Sequence, residues 1–282
     1  MKKYLRKYLK KTWRRLAARP SFRKINEFFF ECSLNGLGIL NYQNRFISGE
    51  QNFIEQIFPL FVTGTNPTIF DVGANVGDYT NFCHKVLPNS LIVAFEPNPI
   101  VFHLLEKRFH RENIVTNMKG LSSSPGLIKF YDKKDDSKDS KHSHASLYKE
   151  VIEDIHGAES EEIEVSMSTL DFYVEEKSID RINLLKIDTE GHELEVLKGA
   201  SKLLSQDKID LIQIEFNEMN IISKVFFRDF TEILPNYKPY RLLPTGVIPL
   251  NKSPLKTELF AFQNIVFVHE RFQPNEAMKP TS

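Results

Sequence analysis

Ile69-Phe70-Asp71-Val72-Gly73-Ala74-Asn75-Val76-Gly77-Asp78-Tyr79 is the stretch that decides the fold. Its first four residues read as a buried strand, because a strand covered on both faces needs a near-continuous apolar run rather than alternation. Gly73 and Gly77 then permit a tight turn and a close backbone approach, since no Cβ intervenes. A helix from about residue 78 to 86 follows. Strand, glycine turn and helix together open a doubly wound α/β sheet, in which ligands bind beyond the carboxyl ends of the strands.

Strand–helix alternation continues outward from this unit. Leu91-Ile92-Val93-Ala94-Phe95 is a second strand, residues 98–109 a second helix and residues 114–121 a third strand. Short strands are expected at 127–131 and 163–167. Between them the charged, Ser- and His-containing stretch 132–150 reads as an exposed loop, a solvated surface rather than a site, with a short helix at 146–156. Ile182-Asn183-Leu184-Leu185-Lys186-Ile187 is a buried strand, followed by a helix with Leu194, Leu197, Ala200 and Leu204 on one face. Residues 211–216 form another strand and 223–234 a helix. The last two strands, near 240–243 and 265–268, have no long helix between them and should pair antiparallel at the end of the sheet. The expected fold is α/β: a Rossmann-like doubly wound sheet, mostly parallel, with a C-terminal antiparallel hairpin and an N-terminal helical cap. The chain divides into an arm (1–24), a cap (25–67), a main domain (68–270) and a tail (271–282).

Zero net charge conceals an asymmetry. Residues 1–24 hold eleven Lys and Arg and no acid, leaving 26 basic against 37 acidic residues in the remainder. Tyr4, Leu5, Tyr8, Leu9, Trp13 and Leu16 recur in the arm at helical spacing, with basic residues on the other face. Such a helix suits an anionic membrane surface or an acidic partner, and a solvated helix is the plainer alternative. No run approaches the roughly 18–20 apolar residues of a membrane span. The start of the sequence lacks the apolar core of a secretory signal. Cys32 and Cys83 read as buried free thiols, as expected in a reducing compartment.

Three segments carry chemistry. Counted from Gly73, the dinucleotide fingerprint G-x-G-x-x-G falls on Gly73, Asn75 and Asp78, so two of its three glycines are missing. The same loop resembles the D/E-x-G-x-G-x-G turn of class I methyltransferases, with Asn75 in place of the middle glycine. Glu96, closing the second strand, can accept hydrogen bonds from both hydroxyls of an adenosine ribose. Alternatively it is a helix N-terminal acid, with Asn98 as the cap. Lys186-Ile187-Asp188-Thr189-Glu190-Gly191-His192-Glu193 ends a central strand on the same sheet edge. Asp188 or Thr189 could cap the next helix, but three ionisable groups within five residues also supply acid/base chemistry beside a reacting hydroxyl.

In their order and separation these segments resemble the FkbM family of methyltransferases. Gly38-Ile39-Leu40-Asn41-Tyr42, Ser48-Gly49-Glu50 and Thr169-Leu170-Asp171 add to the likeness, which spans about residues 36–270. The resemblance implies a class I fold, S-adenosylmethionine as methyl donor and a hydroxyl acceptor, on a sugar of a glycan or glycolipid or on a polyketide-type metabolite. Asp71, Gly73, Asn75 and Gly77 would then cradle the methionine half of the cofactor. Glu96 and Pro97 would hold the ribose, and Gly120 and Leu121 would lie near the adenine. Asp188 or His192 would be the base, with Glu190 orienting the acceptor. A divalent metal on Asp188, Glu190 and Glu215 is not required and stays open. A cytoplasmic enzyme at the inner membrane face fits the arm, and no nucleic-acid partner is expected. An NAD-dependent oxidoreductase and a non-catalytic membrane-surface module are the rival readings.

Overall fold

In a computed structural model of the chain, residues 2–62, 64–110, 112–133, 145–251 and 253–272 are described. Two helices lead, α1 (Lys2–Ala17) and α2 (Arg23–Gly36), and a short α3 (Glu50–Asn52) runs on into a π turn at Phe53–Ile57. The sheet then begins with β1 (Thr68–Val72), α4 (Asp78–Val86), β2 (Leu91–Phe95), α5 (Pro99–Arg108) and β3 (Ile114–Asn117). Three strands follow: β4 (Gly120–Leu121), β5 (Gly126–Lys133) and β6 (Ser160–Ser168). The second half holds α6 (Leu170–Glu176), β7 (Ile182–Ile187), α7 (Glu193–Lys198), α8 (Ser201–Ser205) and β8 (Ile209–Phe216). It closes with α9 (Met219–Ile222), α10 (Phe227–Ile233), β9 (Tyr237–Leu243), β10 (Gly246–Pro249), α11 (Pro254–Thr257) and β11 (Gln263–His269).

Eight strands make one sheet in the order β10-β9-β11-β8-β7-β1-β2-β3. From β3 to β8 all pairs are parallel, and β11, β9 and β10 pair antiparallel. Chain order reverses between β1 and β7, so the loops after these strands diverge and leave a crevice at their carboxyl ends. Helices cover both faces, which is why β1, β7 and β8 are almost wholly buried. One apolar layer gathers Tyr173, Val196, Leu197 and Phe230 against the sheet; the other gathers Phe53, Ile54, Phe58, Phe82 and Leu105.

The expected doubly wound sheet and the antiparallel pairing of the last strands are present. The final strand inserts between β8 and β9, and β10 forms the edge of the sheet. The single expected strand 114–121 divides: β3 stays in the main sheet, whereas β4 leaves it to join β6 and β5 in a small sheet of its own. The helix after β7 breaks between Lys198 and Ser201, around Gly199, where the backbone passes so close to Ser122 that a Cβ would stand 2.0 Å from its carbonyl oxygen. The helix expected around 223–234 is α10, and the single turn of α9 precedes it. The stretch expected as a short helix at 146–156 is a π turn, Val151–Ile155. Cys83 is buried, but Cys32 is exposed on α2, which corrects the expectation of two buried thiols. Most of the charged stretch 132–150 and of the tail 271–282 lies outside the described residues.

Candidate active site

β1, β2 and β7 end side by side, and their following loops line one cleft. Val72, Gly73 and Asn75 come from the first loop, Glu96 and Pro97 from the second, and Asp188, Thr189, Glu190 and His192 from the third. Gly120 and Leu121 of β4 also reach it, with Val101, Phe130 and Met167 forming an apolar wall. A Cβ on Gly120 would stand 2.4 Å from the Met167 sulfur, so glycine there lets the wall close.

Gly73 is required by the protein itself. Its φ is +82°, and a Cβ would lie 1.8 Å from the Asp188 carbonyl oxygen. The β1 and β7 loops therefore cross in backbone contact, and the Asp188 N–H donates to the Val72 carbonyl at 2.9 Å. Asn75 adopts φ +50°, a left-handed conformation that Asn tolerates better than most residues. Of the expected cofactor residues, Asp71 and Gly77 stand behind the cleft wall and do not line it. Asp71 is fully buried, accepting from the Thr80 hydroxyl at 2.7 Å, while Gly77 caps α4 beneath Phe109 and Leu105.

Glu96 is held at both oxygens: Oε2 accepts from the Asn75 N–H at 3.0 Å and Oε1 from the Asn98 N–H at 2.9 Å. Asn98 also caps α5 through its own side chain, so the cap sits beside the functional acid and does not replace it. Burial pushes the Glu96 carboxyl up to about 7 against the pull of those two N–H groups.

The third loop is shaped by Glu193, whose Oε1 accepts from the Thr189 N–H at 3.0 Å, the Gly191 N–H at 3.1 Å and the Thr189 hydroxyl at 3.2 Å. Burial raises this carboxyl to about 7. Glu190 takes φ +54°, and its carbonyl accepts from the Ser146 hydroxyl at 3.0 Å. That bond corrects the reading of 132–150 as surface only. Ala145 and Leu147 line the cleft, and Ser146 is buried, pairing with Tyr131. A small-and-apolar Ala-Ser-Leu after a run of charge was the available sequence signal.

Asp188 projects into the cleft with its Oδ2 3.0 Å from the Lys186 ammonium. Register places Lys186 beside Asp71 on the next strand, 3.6 Å from its Oδ1. Burial works against the Lys186 charge, but Asp188, Asp71 and Glu50 outweigh it and hold the ammonium protonated above its ordinary range. Sequence reasoning missed the part played by Glu50, which reaches this cluster from the N-terminal segment and accepts from Gln213 at 3.0 Å. His192 is buried, with Nε2 2.9 Å from the Ser122 hydroxyl oxygen and Nδ1 without a hydrogen-bond partner among the described residues. Burial drives its pKa down to about 4, so the ring is neutral near pH 7. Glu215 is pushed well up by burial and by Asp188 and Glu190. Among the described residues no group of three or more His, Cys, Asp or Glu is arranged to hold a metal ion.

This donor set fits a nucleoside with a cationic tail. A buried carboxylate closes β2, an apolar wall stands beside it, and Asp188 and Glu190 line the same cleft. With the sheet order above, such a site defines a class I S-adenosylmethionine-dependent methyltransferase. The sequence profile of the methyltransferase FkbM domain matches residues 71–238, and the chain belongs to that family. Relatives include methyltransferase sdnD of Sordaria araneosa, 30% identical over 172 residues, and hexuronic acid methyltransferase AglP of Haloferax volcanii, 29% identical over 211. The first match covers 53% of this chain and 66% of sdnD; the second covers 74% and 76%. The 31-O-demethyl-FK506 methyltransferase FkbM of Streptomyces tacrolimicus is 31% identical over 152 residues, covering 47% of this chain and 58% of that protein. Family membership removes the oxidoreductase alternative.

Proposed function

We propose that the chain transfers a methyl group from S-adenosylmethionine to a sugar hydroxyl, with Asp188 as the base. The observation that carries this reading is the convergence of Glu96, the Gly73–Asn75 turn and Asp188 on one cleft. One relative is named for a hexuronic acid, which supports a sugar acceptor, and another for an O-demethyl substrate, which supports transfer to oxygen. When bound, the cofactor supplies a methyl group already activated on a sulfonium.

The chain's own residues then bind, orient and move a proton. Glu96, with Pro97 beside it, would accept from the ribose hydroxyls, and Gly120 and Leu121 would hold the adenine. The Gly73–Asn75 turn would receive the methionine half, with Asp71 bracing that turn from behind through Thr80 and Lys186. Holding the two reactants in line supplies about 7–11 kcal/mol of the barrier. Asp188 takes the hydroxyl proton, worth about 10²–10⁴-fold, while Lys186 fixes the carboxylate's direction. Glu190 orients the acceptor. Burial disfavours the imidazolium that proton uptake by His192 would form, and Ser122 engages its Nε2.

The test is incubation with methyl-labelled S-adenosylmethionine and glycan or glycolipid fractions rich in hexoses and hexuronic acids. An alkali-stable methyl ether on the sugar is expected. Label in an alkali-labile ester or on an amine overturns the hydroxyl assignment. Cofactor binding with no transfer to any fraction favours the non-catalytic module.

A further inference from the structure

We infer that α1 and α2 together form a docking surface for an anionic lipid bilayer. The surface is independent of the chemistry proposed above, and either reading can fail without the other. Six apolar side chains of α1, Tyr4, Leu5, Tyr8, Leu9, Trp13 and Leu16, are 52–81% exposed. At 100° per residue they occupy one half of the helix, with Arg15 among them, and Arg6, Lys7, Lys10, Lys11 and Arg14 occupy the other. The patch continues onto α2. Trp13 meets Phe29 edge-on at 6.2 Å, and Phe28 meets Phe29 at 5.8 Å. Ile25, Phe28 and Phe29 lie on the side of α2 opposite Leu34, the one residue of that helix buried against the body. The two helices are tied by the Asn26 side-chain amide, which donates to the Ala17 carbonyl at 2.8 Å.

This hairpin is firmly joined to the body. A Cβ on Gly38 would stand 2.6 Å from the Leu242 carbonyl oxygen of β9, and Arg241 donates to the Leu37 carbonyl at 3.3 Å. The apolar face is therefore presented by a structured element, and soluble proteins rarely leave so large a patch bare.

Charge selects the occupant. The first acid in the sequence is Glu27, after eleven basic residues. A second copy of the chain would bring two such blocks together, which repel. A nucleic acid would engage the basic half and leave the aromatic half in water. A bilayer with anionic headgroups satisfies both: Trp, Tyr and Phe enter the interface while Lys and Arg reach phosphates.

Trp13 is the sole tryptophan, so its fluorescence reports on the patch directly. The full chain is titrated with vesicles of phosphatidylcholine alone and of phosphatidylcholine mixed with phosphatidylglycerol. The expected result is co-sedimentation and a blue-shifted, quencher-protected Trp13 only with the anionic vesicles. Replacing Lys7, Lys10 and Lys11 with Gln should lower partitioning about a hundredfold, and Phe28→Ser with Phe29→Ser about tenfold or more. All variants should keep wild-type affinity for S-adenosylhomocysteine, since these helices lie outside the cleft. Absent or equal binding to the two vesicle types overturns the inference. So does Trp13 protection that grows with protein concentration without lipid, which would assign the patch to a second copy.

Discussion

Affinity for S-adenosylhomocysteine should titrate with Glu96. Burial holds this carboxyl near 7 in the folded chain, whereas in the unfolded chain it titrates near 4.5. A raised acid pKa contributes stability below pH 4.5 that is lost as pH rises through 7, so the folded protein carries an ionised Glu96 at a disadvantage. Ribose hydroxyls donate to the ionised form and reverse that disadvantage. The apparent dissociation constant scales with the inverse of the ionised fraction. It should therefore weaken about tenfold between pH 8 and pH 6, and about ninetyfold by pH 5. Glu96→Gln should remove this dependence. An amide cannot accept at both ends, so one of the N–H groups of Asn75 and Asn98 faces another donor, and the hydroxyl bonds lose their charge assistance. The loss is about 2–3 kcal/mol, or roughly 30- to 150-fold in affinity at pH 8. Calorimetric titration across pH measures both effects. Glu193→Gln serves as the control, because that carboxyl is also raised to about 7 but does not line the cleft. A pH-independent affinity in the wild type, or an unchanged slope in Glu96→Gln, refutes the assignment of Glu96 to the ribose.

Other outcomes follow from the same geometry. Asp188→Asn should lower kcat by about 10²–10⁴ with cofactor affinity within a few fold, whereas His192→Ala should cost less than about tenfold; steady-state kinetics separates the two. Gly73→Ala drives a Cβ into the Asp188 carbonyl and should destabilise the fold by about 2–5 kcal/mol, read as a lowered melting temperature. Glu193→Ala leaves the Thr189 and Gly191 N–H groups without their acceptor, a loss of about 2–6 kcal/mol measurable by denaturant unfolding. His192 binds a proton near pH 6.5 when unfolded but only near 4 when folded, so stability should fall by about 3 kcal/mol as pH drops through that window. His192→Gln should flatten that part of the stability–pH curve.

Much of this protein was determined by local sequence. The β1–Gly73–α4 unit, the apolar strands at 91–95 and 182–187 and the amphipathic α1 each declare themselves through period and punctuation, which need only neighbours along the chain. The acid at the end of β2 and the Asp188–His192 segment were legible for the same reason, since strand ends in a doubly wound sheet converge on one edge. Tertiary structure decided what depends on residues far apart in sequence. It placed the last strand between β8 and β9, drew β4 out of the main sheet, and set Asp71 beside Lys186 through strand register. It also brought Ser146 onto the Glu190 carbonyl and Glu50 into the buried charge cluster, contacts between segments that no local pattern links. Burial did the rest: the shifts of Glu96, Glu193 and His192 come from desolvation, which exists only once both layers have closed over the sheet.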